Sequence, residues 1–176
     1  MTTDKDQTII INIDLHHARD DLISIMSSRD KEVFERYKDT YPFPIEKFIE
    51  EIGVESINKR LGTENIYYTI PIDNIDKPLD TKCHNFGLCM HIVNYIISTH
   101  YNDKIFLPYI ENMVLTAGFL APPDKIFEAS KKFKTPQKIS KHFGVPLQAF
   151  DMYAERLNQI IEDIENGFLF IKKLKS

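Results

Sequence analysis

The side chains able to do chemistry crowd into one stretch. Between Cys83 and Tyr95 lie two thiols (Cys83, Cys89), two imidazoles (His84, His91), the amide of Asn94 and the thioether of Met90. Cysteine and histidine are zinc ligands, but Cys83, His84, Cys89 and His91 lack the paired Cys-x-x-Cys clamp of structural zinc sites. If this stretch is helical, Cys89 and His91 sit two positions apart and diverge. The same divergence keeps His91 from activating Cys89 as a nucleophile. That chemistry would need a distant imidazole such as His100 or His142. A cysteine on an apolar helix is more often a small core residue. Two buried thiols and two hydrogen-bonded histidines are the plainer reading.

The element that must position these groups is Phe86-Gly-Leu-Cys-Met-His-Ile-Val-Asn-Tyr95, which continues apolar through Ile96 and Ile97. Only Gly87, His91 and Asn94 interrupt the apolar run. A segment apolar nearly all round predicts a buried central helix. Met90 and Asn94 are four apart and share a face, and His91 and Tyr95 share the neighbouring one. A buried His or Asn needs hydrogen-bond partners.

The flanking segments supply the packing. Thr8–Ile13 is β-branched and predicts a strand. Leu15–Met26 has helical spacing, with His16 and His17 in its first turn reading as solvated groups. Lys31–Tyr41 is amphipathic, and Tyr41-Pro-Phe-Pro44 is a rigid break. Ile45–Ile52 predicts a helix closed by Gly53. Asn65–Ile72 alternates like a strand, and Asp73–Lys82 reads as a loop. Ile105–Leu120 predicts a second long helix with Pro108 near its first turn. Pro122-Pro123 stops it, and Asp124–Lys132 is a further short helix. Thr135–Leu157 predicts a helix, a tight turn at Gly144 and a second helix opened by Pro146. Phe168–Leu174 leans toward β.

Three of these segments, in order and spacing, resemble the ImmA/IrrE zinc peptidases. Phe86–Tyr95 is similar to that family's central helix, whose pattern is roughly Phe-Thr-Leu-Ala-His-Glu-Leu-Gly-His-Tyr. Phe86, Leu88 and Tyr95 match it. Met90 stands in place of the first zinc histidine, His91 in place of the general-base glutamate and Asn94 in place of the second histidine. Ile110–Pro122 resembles the next motif, with Glu111 falling on the third zinc ligand and Gly118 replacing an inner glutamate. Ile139–Phe150 is similar to the closing helical pair. The likeness spans Pro44–Leu157, about two-thirds of the chain.

Met90 and Asn94 keep the ligand spacing and lose the donors, since a thioether or a neutral amide is a poor zinc ligand. The resemblance therefore implies a degenerate active site at Met90, His91, Asn94 and Glu111, with no catalytic residue, no metal and no cofactor. It implies an α+β fold with a mainly helical, zincin-like core and a small sheet. Residues 1–43 form an N-terminal extension of strand and helices, and residues 44–176 form the degenerate domain, including the helical pair at 135–160. The implied function is binding of another protein in bacterial, phage or mobile-element regulation, a helix–turn–helix repressor being the partner class. If the old groove survives, Met90, His91, Asn94 and Glu111 line it. A metallopeptidase with atypical ligands is the alternative.

A DNA-binding helix–turn–helix is the third reading. The basic stretch Lys131, Lys132, Lys134, Lys138 and Lys141 favours it, while Asp151 and Glu155 on the second helix oppose it. Composition supports no polyanion-binding role overall. Of 176 residues, 43% are hydrophobic and 27% charged, and the net charge is −4, which gives no general pull toward nucleic acid or anionic membrane. No apolar run reaches the roughly 18 residues of a spanning helix. The polar Met-Thr-Thr-Asp-Lys-Asp start has no secretory core, so the expected location is cytoplasmic.

Overall fold

The computed structural model describes residues 9–67, 81–162 and 170–173. The chain is mainly helical. Strand β1 (Ile9–Asn12) is followed by a 3-10 turn at Leu15–His17 capped by Asp14: His16 N–H donates to Asp14 Oδ1 at 2.9 Å. Helices α1 (Ala18–Ile25), α2 (Ser28–Tyr37), α3 (Ile45–Ile52) and α4 (Val54–Leu61) come next. Then follow α5 (Thr81–His100), α6 (Tyr109–Leu120), α7 (Pro123–Lys132), α8 (Pro136–Phe143) and α9 (Leu147–Glu162). Strand β2 (Phe170–Lys173) pairs antiparallel with β1, Ile9 opposite Lys173 and Asn12 opposite Phe170.

Helix α5 is the hub. It packs on α1, α3, α4 and α6, while α6 packs in turn on α1 and α9. Every described α5 residue from Phe86 to Ser98 is buried, as an all-round apolar helix requires. Phe34 of α2 joins this core to the break at residues 41–44. Its ring lies 5.5 Å from that of Phe43 and 5.2 Å from that of Phe119.

Several ends follow local rules. Gly53 closes α3 at φ 101°, a conformation open to glycine. Thr135 caps α8, its Oγ1 accepting from Lys138 N–H at 3.3 Å, and Gly144 ends that helix in the left-handed region at φ 69°.

Other boundaries differ from the sequence reading. The helix expected from Ile105 begins at Tyr109, because Pro108 is extended (ψ 146°) and acts as the residue before the first turn. Helix α4 was not expected; Ile57 and Leu61, four apart, bury its inner face. The segment Leu15–Met26 divides into the 3-10 turn and α1. Of the strand expected at Asn65–Ile72, Ile66 and Tyr67 form a turn, and residues 68–72 lie outside the described residues. Of the expected loop at Asp73–Lys82, Thr81 and Lys82 belong to α5, and the rest lies outside them.

The N-terminal extension is packed into the same core. Arg19 on α1 is 7% exposed. Its Nε donates to the Phe119 carbonyl at 2.7 Å and its Nη2 to the Leu120 carbonyl at 2.9 Å. Its Nη1 reaches the Lys38 carbonyl and the Tyr41 hydroxyl, both at 3.2 Å. A guanidinium fork thus satisfies the last carbonyls of α6, where the helix dipole favours a cation.

Candidate functional site

Met90, His91 and Asn94 are 1%, 2% and 2% exposed. The groove they would line is closed, because α6 and the segment before it lie directly over α5. Asn94 Oδ1 accepts the Leu107 backbone N–H at 3.0 Å. One turn further on, Ser98 Oγ accepts Ile105 N–H at 2.9 Å and donates to the Ile105 carbonyl at 3.0 Å. Two polar side chains four apart on α5 therefore clip an extended segment to the helix. Alternate backbone amides, 105 and 107, face them, as an extended chain dictates.

Helix α6 locks onto the same face. Asn112 Nδ2 donates to the Met90 carbonyl at 3.2 Å, and Thr116 Oγ1 donates to Asn112 Oδ1 at 2.9 Å. Asn112 is 1% exposed, while Glu111 in the first turn is only partly buried. Neighbours on a helix point about 100° apart, so Asn112 rather than Glu111 is the α6 side chain bonded across to the Met90 turn. Helix α5 is also tied to α2. Tyr95 hydroxyl donates to Asp30 Oδ2 at 3.2 Å, and burial together with the Asp30 carboxylate pushes that phenol up to about 12.

The other candidate groupings are likewise dispersed. Among the described residues no three His, Cys, Asp or Glu side chains are placed to hold a metal ion. Cys89 and His91 diverge on α5, and the Cys83 side chain lies outside the described residues. His17 lies 3.9 Å from Asp14 in an exposed pair. His100 packs its ring on Tyr101.

Cys89 and His142 do line one cavity of about 570 Å³. No hydrogen bond joins them, and burial alone pushes the Cys89 thiol well up, which keeps it protonated and unreactive at neutral pH. The helical pair α8–α9 presents Asp151 and Glu155 on the exposed face of its second helix, a poor match to phosphate.

Three groups central to this arrangement escaped the sequence reading. Asn112 and Ser98 each had a faint signal, a polar residue four from another (Thr116, Asn94) in an apolar run. Arg19 had none.

Fold and site together define a mainly helical domain whose central helix is held by side-chain-to-backbone clips. No family model, curated protein or solved structure matches the chain.

Proposed function

We propose that the chain is a non-catalytic relative of the ImmA/IrrE zinc peptidases, built on a zincin-like core, that acts by binding another protein. The observation that carries this reading is the use made of the substituted positions. The side chain of Asn94 and the backbone of Met90, where two zinc histidines would stand, are engaged in buried bonds to Leu107 and Asn112. These bonds hold the helix to its neighbours, and the neutral amide and thioether that stand at those positions are poor zinc ligands. Helix–turn–helix repressors are the partner class that the resemblance implies. Tyr109 and Ile110, 43% and 44% exposed at the start of α6, give a partner an apolar foothold beside Glu111.

Two measurements test this. Saturating zinc is expected to leave the melting temperature unchanged and to elicit no peptide hydrolysis. Zinc-dependent hydrolysis that disappears in Glu111→Gln would establish the atypical metallopeptidase instead. Co-purification with a co-expressed helix–turn–helix regulator is expected for the native chain and not for a folded Tyr109→Asp/Ile110→Asp variant. Equal capture by both would remove the foothold, and no capture by either would remove the partner class.

A further inference from the structure

The cavity of about 570 Å³ lies on another side of α5. Asn85, Phe86 and Cys89 share one face of that helix, turned away from Asn94. They form one wall, the break at Tyr41, Pro42 and Phe43 a second, and α8 with Gly144 a third. Its volume is that of a small-molecule site. The walls are apolar and preformed: Phe43, Phe86, Cys89, Leu120 and Phe143 are each 6% exposed or less.

The polar groups around it are one-sided. Among the described residues no Asp or Glu lines the cavity, whereas Lys138, Lys141 and His142 do. Lys138 and Lys141 are exposed and three apart on α8. Neither forms an ion pair among the described residues. Lys132 also acts on His142 electrostatically. Beneath the floor, the buried Arg19 guanidinium bonds to the Tyr41 hydroxyl and the Leu120 carbonyl, both from lining residues. This concentration of cations occurs in a chain of net charge −4.

We propose that this cavity binds a small amphiphilic organic anion, an alkyl or arylalkyl carboxylate. Its apolar body lies against Phe86, Cys89, Leu120 and Phe143, and its acid group meets Lys138 and Lys141. An apolar pocket with a few convergent polar groups gives affinity from burial and orientation from charge. The inference stands independently of the peptidase resemblance, since none of Met90, His91, Asn94 or Glu111 lines the cavity.

Dodecanoate, kept below its micelle concentration, is the probe, with dodecyltrimethylammonium as the control of opposite charge. Calorimetry on the full chain is expected to show one dodecanoate bound per chain, a raised melting temperature and no comparable binding of the cation. Lys138→Glu/Lys141→Glu, at exposed positions that leave the core intact, is expected to weaken dodecanoate about tenfold or more. Cys89→Met, which narrows the cavity at that wall with an apolar side chain, is expected to weaken dodecanoate severalfold with an unchanged circular dichroism spectrum, which locates the ligand against that wall. Equal binding of both amphiphiles, unchanged affinity in the double variant, or unchanged affinity in Cys89→Met would each overturn the proposal. So would the absence of any dodecanoate binding. Capture of an acidic peptide in preference to dodecanoate would assign the cavity to a protein partner.

Discussion

The Leu107 backbone N–H donates to the side-chain oxygen of Asn94 at 3.0 Å, across the closed face of α5. With the Ser98–Ile105 pair beside it, this bond fixes the path of the chain from α5 into α6. Asn94→Leu leaves the Leu107 amide buried without an acceptor and is expected to cost about 1–3 kcal/mol. Urea unfolding followed by circular dichroism measures it. A loss within a few tenths of zero would mean that water replaces the side chain and that the clip is dispensable.

Arg19 holds the carbonyls of Phe119, Leu120 and Lys38 at once. Arg19→Met keeps the apolar stem and strands those acceptors. The expected destabilisation is about 3 kcal/mol or more, because bonds from a charged donor are the stronger ones. Arg19→Lys is expected to recover only a part, since one ammonium cannot reproduce the planar fork. Full recovery by lysine, read from the same unfolding curves, would show that charge alone matters there.

Gly118 lets three helices meet. A Cβ at that position would lie 3.1 Å from the Ala18 Cβ on α1 and 3.1 Å from Tyr153 Cε2 on α9. Tyr153 is fully buried, so it has nowhere to retreat. Gly118→Ala gains helix propensity of about 1 kcal/mol but overpacks the contact at about 1–3 kcal/mol. Net destabilisation is expected in thermal unfolding. A stabilised Gly118→Ala variant would show that α1 and α9 can move apart at little cost.

His142 gives stability a pH dependence with a definite sign. Burial, and then the nearby charge of Lys132, hold its pKa below the ordinary imidazole value of 6.5. The unfolded chain therefore binds more protons in the window just below 6.5, and stability falls as the pH falls through the lowered folded pKa. His142→Gln removes this contribution. Melting temperatures from pH 7.5 down to about 4.5 should show the native chain losing ground to the variant below pH 6.5. Parallel curves would mean that the imidazole titrates alike in both states.

Much of the local structure was legible in the sequence. The all-round apolar run at Phe86–Ile97 could only be a buried helix, and it is. Pro44 and Gly53 bracket α3, and Thr135 and Gly144 bracket α8, because caps and left-handed ends depend on a few adjacent residues. The burial of Met90, His91 and Asn94 was implicit in the same run. The choice of partners was not. Periodicity says that a face is inside and not what lies against it. Leu107 rather than a metal meets Asn94, and Asn112 rather than Glu111 bonds to the Met90 turn. Ile9 pairs with Lys173 from the far end of the chain. Arg19 finds Phe119 across a hundred residues, and the cavity brings Cys89, Tyr41 and Lys138 together from three distant segments. Such contacts depend on how the helices stack, and helix stacking is set by the shapes of whole surfaces in contact, which only the tertiary structure brings together.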